Sequence, residues 1–258
     1  MGDIIPLIIF TTFAGLAAGA YATSAVLYPY EQQQKRWLFP VVCIMLLGVG
    51  LCATFTHLGQ PLRFYYGMTH PTSMIAQESY WSIAFGLVML IDAVIAKVKG
   101  STPRIVRVIG TLFAVGLMIV TGLVYAGCLN YEAWLGIGTV PEFVVGDLAM
   151  GMLLYLVLRK IPLDENHVPQ MIIVLQVLLG LVTLTLIIHF ANVGLGISIP
   201  FIISLLIGPV AICVLVAKRH VLTEKSAFLK KNLLMVLFLL GIVSVIVARV
   251  AFYAAGIL

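Results

Sequence analysis

His57 and Arg63 lie in the run Thr54-Phe55-Thr56-His57-Leu58-Gly59-Gln60-Pro61-Leu62-Arg63, where one long apolar stretch ends, and Glu78 opens the next. An imidazole, with a reference pKa of about 6.5, can accept a hydrogen bond and then a proton at neutral pH, and a nearby carboxylate can relay that proton onward. A guanidinium presents a fixed fork of donors that holds a carboxylate ionised or binds a carbonyl. Such a set suits a reaction that releases protons. Ionisable groups at the edge of hydrocarbon are costly unless they pair or act, so their placement is itself informative.

The elements that position them follow from composition. Of 258 residues, 62% are hydrophobic and 10% charged, and the mean hydropathy is +1.14. Soluble domains carry roughly 25% charged residues, so the chain reads as an all-α integral membrane protein. The net charge of +5 would suit nucleic acid, but the basic residues sit in short loops between apolar runs, which is a membrane-topology pattern. Cys43, Cys52, Cys128 and Cys213 form no CxxC and no ligand-like cluster, so neither a zinc nor an iron–sulfur site is indicated. Cys128 falls at a boundary and its role stays open.

Eight spans are predicted: Ile4–Leu27, Trp37–Leu58, Ser79–Val98, Ile105–Gly127, Val140–Leu158, Gln170–Val193, Ile197–Ala217 and Asn232–Gly256. Each is near the ~20 residues a helix needs to cross a bilayer. Residues 1–258 thus form a single transmembrane domain, a bundle of eight helices. Gly194-Leu195-Gly196 makes spans six and seven a tight hairpin; Pro200 falls in the first turn of the seventh and Pro209 should kink it. Ala20-Tyr21-Ala22 imitates a signal-peptidase site, but Asp3 and the lack of Lys or Arg before the first span argue for a retained helix. Gly15-xxx-Gly19 and the Ala14-Ala18-Ala22 row would let neighbours approach closely, and ordinary membrane composition explains them equally well.

Lys35, Arg36, Lys97, Lys99, Arg104, Arg107, Arg159, Lys160, Lys218, Arg219, Lys225, Lys230 and Lys231, thirteen of the fifteen Lys and Arg, fall on one side of the spans. The positive-inside rule places that side in the cytoplasm and both termini outside. His57, Glu78, His189, Glu142 and Asp147 then belong to the outer half. Arg249 joins them, some 25 Å from the cytoplasmic end at ~1.5 Å per residue. Asp92 alone is left in the inner half, close to Lys97 and Lys99, and reads as an interfacial carboxylate, which makes the polar chemistry one-sided.

Plainer roles exist for each. His57 could be an interfacial hydrogen-bonder, and Arg249 could snorkel to headgroups. Glu142, after Pro141, suits the positive end of a helix dipole. Asp147 is too deep to be a cap and calls for a partner, for which Arg249 is the candidate. His189 reads as a packed, hydrogen-bonded histidine. Tyr65 and Tyr66 suit an aromatic belt, whereas Tyr80 and Trp81 flank the Glu78 helix start and could face a flat ligand.

The segment His57-Leu58-Gly59-Gln60-Pro61-Leu62-Arg63 resembles the HLGxPxR segment of the dimethyl sulfoxide reductase membrane-anchor family, and Glu78 falls where that family has a Glu opening the third helix. The resemblance continues in Pro6 to Thr11, in Trp134 through Pro141 to Phe143, and in Ala248-Arg249-Val250-Ala251-Phe252-Tyr253. It spans essentially the whole chain. Ala248 stands where the family usually has Gly, and Asp147 is not part of its pattern.

The resemblance implies the membrane-anchor subunit of an anaerobic respiratory reductase in a bacterial inner membrane. It implies that menaquinol binds near the outer face at His57 and Glu78, with electrons passing to an iron–sulfur subunit of the four-cluster ferredoxin type and then to a molybdopterin catalytic subunit. Arg63, Tyr80, Trp81, Asp147 and Arg249 complete the expected quinol-binding set, with no metal, haem or iron–sulfur cluster held by this chain. Electrons should leave directly to a subunit docked on the outer face, seated on residues 59–77 and 128–139. Three alternatives remain: a haem b subunit ligated by His57 and His189 (His70, His167 and His220 being in loops), a structural tether with no quinol site, and a transporter, for which no internal repeat is evident.

Overall fold

In hydrocarbon a long apolar segment satisfies its backbone polar groups by forming a helix, and the described chain is helical almost throughout. The computed structural model describes residues 4–27, 35–58, 64–161, 163 and 168–256, without the side chains of His57, Leu195 and Ile197. The helices are α1 (Ile5–Val26), α2 (Leu38–His57), the short α3 (Phe64–Met68), α4 (Met74–Lys99), α5 (Arg104–Ala126), α6 (Thr139–Arg159) and α7 (Val168–Val193). They continue with α8 (Leu195–Leu205), α9 (Ala211–Ala217), α10 (Arg219–Lys225) and α11 (Ala227–Ala255). Among the described residues, eight helical stretches are long and apolar enough to cross a membrane, the seventh being Ser198–Ala217 across α8 and α9.

Two helices form the centre. In α1 and α6, 67% of the most apolar stretch is buried, against 28–39% in the other six. The cause is side-chain size. A Cβ on Gly15 would overlap the Asp147 carboxylate, one on Gly19 the Asp147 carbonyl, and one on Gly151 the backbone at Gly19 and Ala20. Small residues at these positions let α1 and α6 touch backbone to backbone. This close approach settles the role of the Gly15/Gly19 row. Around this pair, α2, α4 and α5 pack on the α1 side, and α7, α8, α9 and α11 on the α6 side.

Several boundaries differ from those predicted. α4 begins at Met74, from an extended Ser73, so Glu78 sits in its second turn instead of opening the helix. α11 begins at Ala227, where the Ser226 hydroxyl accepts from the Leu229 N–H, so Lys230 and Lys231 are helical. Pro200 is the sixth residue of α8, past the first turn. Pro209 acts as expected: the backbone between α8 and α9 widens to a π-helical turn over Leu206–Val210.

The expectation for Asp92 is overturned. Its side chain is fully buried, Arg107 Nε lies 2.6 Å from its Oδ2, and it accepts from Tyr21 Oη at 2.8 Å and Thr102 Oγ1 at 2.5 Å. Lys97 lies instead over the Trp37 ring, 4.4 Å from its centroid. Asp92 lies seven residues before the end of α4, but its face of the helix meets α5, where Arg107 is one turn in. The buried polar chemistry therefore occupies both halves of the bundle.

Candidate functional site

The last turns of α2 and the second turn of α4 stand side by side at the end of the bundle away from the basic loops. Between them is a cavity of about 40 Å³, lined by Leu51, Thr54, Phe55 and Leu58 of the α2 side, by Phe64 of α3, and by Ile75, Glu78, Ser79 and Ser82 of α4, with Phe10 of α1 at its back. Phe55 and Ile75 are exposed on the outside of the bundle, so the cavity borders the lipid-facing surface. His57 is the last residue of α2, beside this wall; its side chain and all of Arg63 lie outside the described residues.

Glu78 is the one acidic group in that wall, and its Oε1 is buried with no hydrogen-bond partner among the described residues. The Thr121 hydroxyl of α5 faces its carboxyl group. Tyr125 of α5 and Tyr253 of α11 are both within electrostatic reach of it. These two rings meet edge to face, with centroids 5.1 Å apart, and Tyr253 Oη lies 3.4 Å from Thr11 Oγ1. Arg249 acts on both tyrosines. Glu78 and the buried cation thus both lie within electrostatic reach of the two phenols.

That cation is paired as the sequence suggested. Arg249 Nη2 donates to Asp147 Oδ1, and both side chains are sealed from solvent. The guanidinium also lies 4.9 Å from the centre of the Phe143 ring, so a snorkelling role is overturned: α11 turns this face toward α6. Its Nε and Nη1 have no hydrogen-bond partner among the described residues, nor has Oε2 of Glu142, which is buried in the first turn of α6 within the field of Arg249. Glu142 does occupy a helix start, as the dipole argument wanted, but it faces the core and not water. Tyr125, Trp134, Phe143, Phe252 and Tyr253 close over this group. Trp134 stacks on Phe252 at 5.7 Å and donates from Nε1 to the Phe252 carbonyl at 2.8 Å.

The other expected site residues are dispersed. Tyr80 donates to the Met68 carbonyl and ties α4 to α3. Trp81 turns toward α5, where its ring meets Phe113 at 5.7 Å and fills the space left by Gly116. Tyr65 and Tyr66 lie against each other with tilted rings, exposed. His189 packs beside Phe190 and Gly136, but its Nε2 is buried without a hydrogen-bond partner among the described residues, contrary to the hydrogen-bonded histidine expected. It lies on α7, which packs on α6, α8 and α9, whereas α2 packs on α1 and α4. Among the described residues no three His, Cys, Asp or Glu side chains gather as a metal-ligand set.

Sequence reasoning left out Thr121, Tyr125 and the phenol of Tyr253. Tyr125 precedes the end of a span by one residue and looks like a belt aromatic; only the convergence of α4, α5 and α11 turns it inward.

The profile of the DMSO reductase anchor subunit (DmsC) family matches residues 1–255. The chain belongs to that family. Among curated proteins it is similar to the C subunit of the anaerobic dimethyl sulfoxide reductase of Haemophilus influenzae, with 26% identity over 180 residues. The aligned part is 65% of this chain and spans 64% of the length of that relative. Within the DmsC family frame, the cavity beside Glu78 and the Asp147–Arg249 pair lie at the same end of the eight-helix bundle.

Proposed function

We propose that this chain is the membrane anchor of a molybdopterin oxidoreductase complex and that it oxidises quinol at the cavity beside Glu78. The observation that carries this reading is the buried Glu78 oxygen, without a hydrogen-bond partner among the described residues, in the wall of a cavity whose other wall ends at His57. A space of about 40 Å³ admits the hydroxyl-bearing edge of a ring and little more, being a few times the ~10–15 Å³ that one water needs. The exposed Phe55 and Ile75 would leave the rest of a lipid-soluble quinol in the bilayer.

Oxidation of a quinol releases two protons and two electrons. His57 or Glu78 takes the hydroxyl proton, and Thr121, Tyr125 and Tyr253 offer it a hydroxyl-lined route toward Glu142 and the end of the bundle. Arg249, held by Asp147, keeps that region electropositive. The electrons pass to an iron–sulfur subunit of the four-cluster ferredoxin type and on to a molybdopterin catalytic subunit, both seated over this end. The anchor is not catalytic alone. Menaquinol is the quinol that the family resemblance suggests.

Charge asymmetry supports the orientation. The basic end faces the cytoplasm, and both termini, His57 and Glu78 face the outside of a bacterial inner membrane. A haem b reading is disfavoured, since its ligands His57 and His189 would come from helices separated by the central pair.

His57→Gln and Glu78→Gln, made separately, test the reading. Complex assembly in membranes should persist while menaquinol-dependent reduction falls about 100-fold or more, the scale of a lost acid–base group. Wild-type rates in both variants would leave only a structural tether, and a Soret band in the purified protein would establish haem instead.

A further inference from the structure

The basic end holds a second site. α10 and the start of α11 enclose a cavity of about 320 Å³ whose wall carries Arg219, Lys230 and Lys231, with Thr223 beside them and Leu163 and Leu233 in its floor. Both leucines are buried, so the cavity has an apolar base and a cationic rim. Among the described residues no carboxylate lines it and none of the three cations forms an ion pair. Arg219 Nη1 donates to the Val216 carbonyl at 3.1 Å, leaving its Nε buried without a hydrogen-bond partner among the described residues.

Helix electrostatics sharpen the imbalance. Lys230 and Lys231 follow directly on the first turn of α11, where the helix dipole is positive, and that turn contains no acidic residue. Three cations and a helix N-terminus share one pocket, and each disfavours the others unless an anion stands among them. Phe228 and Val221, flanking the pocket, are exposed large apolar side chains, and the last two spans end or begin within a few residues of it. The cavity is therefore at headgroup depth.

We propose that this pocket binds a phosphate group, carried by the headgroup of an anionic phospholipid whose acyl chains run down the apolar surface beside α11. Basic pockets between helices at a cytoplasmic membrane face suit such headgroups, each cation adding to the attraction. Free phosphate has the same chemistry without the acyl tails, and an experiment separates the two.

The full-length protein is placed in nanodiscs of phosphatidylcholine alone, with ~20% phosphatidylglycerol, or with millimolar inorganic phosphate added. Melting temperature and the phosphatidylglycerol retained on detergent extraction, read by native mass spectrometry, are compared. The variant Arg219→Gln/Lys230→Gln/Lys231→Gln is set against Lys99→Gln/Lys218→Gln/Lys225→Gln, which removes equal charge at the same end outside the pocket. Phosphatidylglycerol should stabilise and be retained by the wild type and the control, with retention about tenfold lower in the pocket variant. Stabilisation by inorganic phosphate alone would overturn the lipid assignment in favour of a free anion. Equal loss in both variants, or no retention by the wild type, would overturn the site. Should the triple variant fail to fold, Lys230→Gln/Lys231→Gln, which alters only exposed side chains, gives the same comparison at smaller amplitude.

Discussion

Arg249 and Asp147, 102 residues apart in sequence, form a buried ion pair that joins α11 to α6 at the point where α6 lies against the glycine face of α1. The pair is both a structural tie and the charge that acts on Tyr125 and Tyr253, the phenols near Glu78. These two roles separate experimentally.

Removing one partner leaves an uncompensated buried charge, which typically costs about 3–5 kcal/mol. Asp147→Leu or Arg249→Met should therefore lower the melting temperature of the purified protein sharply, while Asp147→Leu/Arg249→Met recovers most of the loss. If the recovered double variant also regains quinol-dependent reduction, the pair serves the fold alone.

The α1–α6 contact predicts a contrast between two glycines. Gly19→Ala would drive a Cβ into the Asp147 carbonyl, whereas nothing lies within 4 Å of a Cβ at Gly48. Overpacking there should cost roughly 1–3 kcal/mol, and Gly48→Ala should be neutral or slightly stabilising. Thermal unfolding in detergent reads both, and equal effects would contradict the packing.

At the opposite end, Tyr21→Phe removes one hydrogen bond to Asp92 and should cost about 1–3 kcal/mol, with Asp92→Ala costing more because Arg107 then loses the carboxylate it faces. Quinol-dependent activity per folded complex should be unchanged in Tyr21→Phe. A selective loss of turnover with normal stability would give this cluster a part in catalysis.

Cys128 lies just beyond α5, and its Sγ–H donates to the Val124 carbonyl at 3.1 Å. Burial pushes the thiol above its usual range. Since the thiolate is the reactive form, alkylation at neutral pH should be slower than for a free cysteine, and its rate should still be rising with pH beyond about 8.5, the ordinary thiol value. The rate of maleimide labelling between pH 7 and 9.5, in a Cys43→Ser/Cys52→Ser/Cys213→Ser background, measures this. A rate already at its plateau by pH 7.5 would contradict it.

How much of this was legible beforehand depended on whether the signal was local. Span number, the hairpin at Gly194 and the break at Pro209 are written in runs of neighbouring residues, because hydrocarbon forces each run to satisfy its own backbone. The Asp147–Arg249 pair could be guessed for a similar reason: a deep carboxylate must find a cation, and few were available. Glu78 could be singled out as an ionisable group at a boundary. Which way each side chain points could not be read. Asp92 looked interfacial from its distance to Lys97 and Lys99, Trp81 looked like a ligand platform from its place beside Glu78, and Tyr125 drew no notice at the end of its span. Rotation about a helix axis is set by packing against neighbours, and in a span that is apolar on all sides no stripe announces the buried face. The sequence by itself determined an eight-helix membrane protein with a sparse set of expensive polar groups. The tertiary structure decided that those groups form two buried clusters at opposite ends, since only the close approach of α1 and α6 at their glycines brings α4, α5 and α11 near enough to share them.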